Sequence, residues 1–165
     1  MKLFSTSFPV RSVALASMVL LGACSKKSDD PAVTPATTYS SSWTADGTNY
    51  TATTSTTNVS NNILQIALIQ ASGTSSYFTS VTVPAATGTY TLGNTTSYVA
   101  GYTMTVGGTT TSYGAGSGFG GSGTITVSTF SATEVIGTFS FVGANASNPG
   151  GASKTVTNGK FSIKR

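Results

Sequence analysis

The sequence predicts an all-β domain: an antiparallel β-sandwich of about ten short strands, with a closed or partly closed β-barrel as the alternative. Three observations predict it. Runs rich in Thr, Val, Ile, Tyr and Phe recur about every 8–12 residues, separated by turn residues. Charged residues make up only 7% of the 165, whereas exposed helix faces normally carry many Glu, Lys and Arg. Nineteen glycines supply turns, and Ser and Thr take the place of charge on exposed faces. Low-charge Ser/Thr/Gly chains can be disordered. Beyond residue 40, the regular aromatics and 38% hydrophobic content are enough to build a core.

The elements follow in order. "SSWTADGTNYTAT" sets Asp46 and Gly47 between two β-rich arms, and a two-residue Asp-Gly loop is a strong hairpin signal because both residues tolerate φ > 0. "NILQIALIQ" is the most apolar run. Leu64, Ile66 and Leu68 lie on one face, Ile63, Ala67 and Ile69 on the other, and burial on both faces is expected. "YFTSVTVP" ends at Pro84, and "GTYTLG" closes at Gly93 and Asn94. "SYVAGYTMTV" places Tyr98, Ala100, Tyr102, Met104 and Val106 on one face before Gly107 and Gly108 turn it into "TTTSY". "GTITVSTF" and "EVIGTFSFVG" pair across 131–134. "SKTVTNGKFSIKR" carries a turn or bulge at Asn158 and Gly159. Its lysines suggest a solvated edge strand, since lysine discourages edge-to-edge pairing. The expected core is Leu64, Ile66, Leu68, Phe139, Phe141, Val156, Phe161 and Ile163, with Trp43 as an anchor beside the first turn.

Ahead of this domain, residues 1–23 have the pattern of an export signal. Lys2 and Arg11 form a positive front, and "SVALASMVLLGA" is an apolar run of about 11 residues, too short for a membrane-spanning helix. "LGAC" at 21–24 resembles the lipobox of bacterial lipoproteins. A signal peptidase needs small residues, here Gly22 and Ala23, before the cut. Cys24, the sole cysteine, would receive a diacylglyceryl group and become the first residue of the mature chain. Each buried methylene of such a lipid contributes about 0.8 kcal/mol to membrane attachment. A single cysteine also excludes a disulfide framework. Residues 24–39, with Pro31 and Pro35 among Thr and Ala, form an extended tether of roughly 20 Å, and 40–165 form the β domain.

The net charge of +4 does not signal nucleic-acid binding. Lys2 and Arg11 belong to the leader, which leaves six basic residues against four acidic, and no basic patch interleaves with aromatics. The sequence has no histidine, which removes Ser-His-Asp chemistry and His-containing metal sites. The only acids in the domain are Asp46, already assigned to a turn, and Glu134, expected to be solvated. Neither has the spacing of a calcium loop or a glycosidase pair. "GAGSGFGGSG" at 114–123 contains G-x-G-x-x-G twice, but a strand follows where phosphate binding requires a helix. The run is expected to be a mobile loop; the alternative is a loop that gates a binding site, with Phe119 as its one apolar contact. The expectation is therefore a non-enzyme without cofactor or metal.

"SWTADG", "GTYTLG", "GSGTITVSTF", "GTFSF" and "TVTNGKFSIKR", taken in order over 42–165, resemble a family of small Bacteroidota lipoprotein domains of unknown function. "SKKSDD" after the cysteine is similar to the surface-export signal of that group. The resemblance implies a β fold and an envelope address: a lipid anchor, palmitate among the acyl chains, in the outer membrane or at the cell surface. It implies no catalytic residues. The expected function is an anchored, non-catalytic module that binds an extracellular ligand or supports the envelope, with the membrane as one partner and a polysaccharide or envelope protein as another. Two further readings are a lipocalin-like carrier and a weak polysaccharide-binding module. The second would use Tyr98 and Tyr102, whose rings would lie roughly 13 Å apart on one strand face. Core or sheet packing is the competing role for these tyrosines.

Overall fold

The computed structural model describes residues 38–165. Cys24, the leader and nearly all of the tether lie outside the described residues. The described chain holds eleven strands and no helix: β1 (Ser42–Ala45), β2 (Thr48–Thr51), β3 (Thr54–Ser60), β4 (Ile63–Ser72), β5 (Ser75–Pro84), β6 (Gly88–Leu92), β7 (Val99–Val106), β8 (Thr109–Gly116), β9 (Ser122–Phe130), β10 (Glu134–Asn145) and β11 (Lys154–Lys164). All pair antiparallel, and the sheet curls into a half-barrel that fits either a sandwich or a partial barrel.

Two sets of strands share one member. β2, β1, β11, β10, β9 and β6 follow one another on one side, and β8, β7, β5, β4 and β3 on the other. β10 joins them. Val135 to Val142 pair with β9, and Ala144 and Asn145 pair with β8. At twelve residues, β10 is the longest strand and can serve both sets.

Local chemistry sets the hairpins. Asp46 and Gly47 turn β1 into β2 with φ of 44° and 82°, and Gly107 and Gly108 turn β7 into β8 at 57° and 80°. These are the left-handed values a two-residue hairpin requires. A third such turn, Asn61 and Asn62 between β3 and β4, lies outside the sequence expectation. Asparagine tolerates left-handed backbone through local side-chain hydrogen bonding. At Asn158, φ is 51° and the β10–β11 register slips between Phe139 and Phe141, so this feature is a bulge within a continuous strand.

The expected core residues are all buried, and Trp43 is 1% exposed. Within β10 and β11 the packing follows one rule: each ring lies over a glycine on the neighbouring strand. Phe161 faces Gly137, Phe139 faces Gly159, and Phe141 faces Gly123 of β9. A Cβ on any of these glycines would run into the ring or backbone beside it. The three phenylalanines stack, with Phe139 6.3 Å from Phe141 and 6.4 Å from Phe161.

Three expectations need correction. β11 is not an edge strand, because β1 and β10 pair with it on its two sides. β4 buries only Leu64, Ile66 and Leu68; Gln65 is exposed, Ala67 and Ile69 are half-buried, and Ile63 is 37% exposed. The 114–123 run is not one loop, since β8 reaches Gly116 and β9 begins at Ser122. Its glycines are tightly placed: Gly114 lies under the Phe119 ring, and Gly121 against backbone of Val142 and Ala115.

Candidate binding surface

Tyr98 and Tyr102 do not form a platform. Tyr102 is 1% exposed, and burial, with smaller contributions from Tyr50, Tyr77 and Asp46, pushes its phenol well above the ordinary tyrosine range. Tyr98 precedes β7 and meets Tyr90 edge to face, with ring centroids 5.1 Å apart. Sequence periodicity assigns both to one face, and the structure buries its centre, Ala100 and Tyr102, while Tyr98 and Met104 are half-buried and Val106 is exposed. With Tyr102 buried and Tyr98 half-buried against Tyr90, the two rings present no shared face for stacking on a sugar.

Tyr102 instead belongs to an aromatic cluster that bridges the two strand sets. Trp43 of β1 stacks on its cross-strand neighbour Tyr50 at 5.5 Å. Tyr50 then reaches Tyr77 of β5 at 4.6 Å and Tyr102 at 6.4 Å, and Tyr102 reaches Tyr113 of β8 at 6.4 Å. Such tilted and offset pairs stabilise beyond their buried area. A carrier would need an open interior, whereas Trp43, Tyr102, Phe161 and Leu64 fill this one.

Charge sits at the margins of this packing. Lys154 Nζ lies 2.8 Å from Asp46 Oδ2 and 5.8 Å from the Tyr113 ring centroid. Asp46 also accepts the Thr155 N–H at 2.9 Å. The Lys154 hydrogen bond, then that of Thr155, hold the Asp46 carboxyl below its ordinary range, and Asp46 holds Lys154 above its own. Glu134, expected to be solvated, is half-buried and accepts the Tyr39 hydroxyl at 3.3 Å. Asp46 stands beside Thr155 and Glu134 opposite Lys164, so nine residues of β11, roughly 25–30 Å, separate the two carboxylates. A pair acting on one glycosidic bond needs about 5–9.5 Å.

A cleft of about 610 Å³ that sequence reasoning missed lies beside β3. One wall is Ser55 to Val59 of β3, and the other is Ala132 with Ile163, Lys164 and Arg165. Arg165 is held in place: Nη1 donates to Ser131 O at 2.7 Å, and the guanidinium lies 4.8 Å from the Phe130 ring centroid. The Thr57 hydroxyl is buried and unpartnered among the described residues. No local motif marks this site, because it joins strands more than a hundred residues apart.

A family model described as a domain of unknown function, DUF6252, matches residues 42–163, and the chain belongs to that family. No curated protein matches it. No solved structure matches it.

Proposed function

We propose that this DUF6252 chain is a lipid-anchored, non-catalytic binding or structural module of the bacterial cell envelope, of the kind found in Bacteroidota. The anchor is Cys24, in the lipobox-like "LGAC" after an apolar leader, with "SKKSDD" and a proline-bearing tether leading into the domain. Placement in the outer membrane or at the cell surface, and palmitate among the acyl chains, belong to the same proposal.

One observation carries the non-catalytic reading. Asp46 and Glu134 stand near opposite ends of β11, and each is engaged, Asp46 by Lys154 and Thr155 and Glu134 by Tyr39. General acid–base work needs groups within hydrogen-bond reach of one reacting centre.

The anchor is tested by metabolic labelling with a clickable palmitate analogue, followed by detergent phase partitioning. Wild type should label and enter the detergent phase, and Cys24→Ser should do neither. Labelling that persists in Cys24→Ser would remove the lipoprotein reading.

A further inference from the structure

We infer that the cleft between β3 and the end of β11 receives an extended acidic peptide, which adds to the free edge of β3 as a further strand. This goes beyond the proposed function and does not depend on the anchor.

The geometry begins at β3. It ends the sheet and pairs only with β4 among the described residues. The two-residue turn at Asn61 and Asn62 makes Ser60 and Ile63 a hydrogen-bonded pair. Bonding to β4 then alternates back along the strand through Asn58, Thr56 and Thr54. Ser55, Thr57 and Val59 are left with N–H and C=O groups on the open edge. These three residues line the cleft.

Natural edges are normally blunted by lysine, proline or a bulge. β3 reads "TSTTNVS", with no charge and no proline, and its register with β4 is unbroken. It is a regular, uncharged template for strand addition. The unpartnered Thr57 hydroxyl is a second unmet polar group at the same place.

Charge selects the occupant. Lys164 and Arg165 stand on the opposite wall, and among the described residues no acidic side chain lines the cleft. Glu134, the cross-strand neighbour of Lys164, offsets one of these charges, and the cleft keeps a positive balance. A second copy of the domain would bring its own Lys164 and Arg165 to this cleft, where like charges oppose pairing. A separate acidic strand meets both requirements: backbone groups for β3 and carboxylates for Lys164.

The test uses the full chain in neutral detergent and a fluorescein-labelled hexapeptide of alternating Val and Asp, read by anisotropy. Two control peptides carry Lys in place of Asp, or N-methyl groups on alternate amides. The acidic peptide should bind, and more weakly as salt rises. The lysine and N-methyl peptides should not. Lys164→Glu should weaken binding about tenfold. Thr57→Pro, which removes one free N–H, should abolish it, while Thr57→Val, which keeps that N–H, should retain it. Should Thr57→Pro fail to fold, the N-methyl peptide decides the same point.

The inference is overturned by equal binding of acidic and lysine peptides, by binding that survives amide methylation, or by none up to about 1 mM peptide. Dimerisation abolished by Thr57→Pro would give the edge to a second copy instead. Binding seen only after Asp29→Asn and Asp30→Asn would give the cleft to the chain's own residues 28–33. Either result overturns it too.

Discussion

β11 and β3 differ in charge opposite to what position alone would suggest. β11 carries Lys154, Lys160 and Lys164, yet it is paired on both sides, by β1 and β10. β3 carries no charge, yet it ends the sheet. Lysine in a strand reports on the face its side chain occupies, and it does not report whether the backbone beside it is paired. On β11 the exposed Lys160 alternates with the buried Gly159 and Phe161. The strand is solvated above and central in its hydrogen bonding.

The comparison can be broken at several points, and the largest effect is expected in the core beneath β11. Phe161→Ala removes a fully buried ring stacked 6.4 Å from Phe139 and should cost about 3–5 kcal/mol by denaturant titration. That is a large share of the about 5–15 kcal/mol typical of a domain. A loss under about 1 kcal/mol would mean this stack contributes little.

Proline separates the two strands more directly. Lys160→Pro, at a position paired with both Ser42 and Thr138, should cost about 3 kcal/mol or more. Thr57→Pro on β3 removes an N–H that faces the cleft and should cost about 1 kcal/mol or less. Equal losses at the two positions would show that β3 is not a free edge.

The smallest effect concerns the pair at the start of β11. Asp46→Asn keeps a residue that tolerates the turn, with φ of 44°, and loses only the ion pair with Lys154. Both side chains are partly solvated, so the loss should be well under about 1 kcal/mol. Its pH dependence has a defined sign. The folded Asp46 carboxyl titrates below its unfolded value, so the pair's contribution is present above that unfolded value and fades as pH falls through the folded one. Lys154 titrates above its unfolded value, so the contribution is full below that unfolded value and fades as alkaline pH rises through the folded one. Thermal melts of wild type and Asp46→Asn should therefore converge at both acid and alkaline extremes. A difference that persists below about pH 2 would assign the effect to the turn.

The parts of this fold legible in sequence are those decided within a few residues. Asp46 with Gly47 and Gly107 with Gly108 announce their hairpins, and the buried phenylalanines announce the core. Asn61 with Asn62 escaped because its second residue is not glycine. In a chain with 7% charge, inward and outward faces differ little in polarity. That is why the outer face of β4 looked buried and the face bearing Tyr102 suited a platform as well as a core. The neighbours of β11, and the cleft beside it, depend on pairings between distant strands, which no local pattern records.

The pairing of β1 with β11 places Ser42 opposite Lys160, the beginning of the domain against its end. Synthesis delivers a chain from its N-terminus. Until β11 emerges, β1 has only β2 beside it, and β10, once out, lacks a neighbour along one flank. Closing a loop of this length is slow. The domain therefore cannot finish locally as it emerges. It remains an incomplete sheet until β11 arrives, and truncation within β11 should lay bare the flanks of β1 and β10 together.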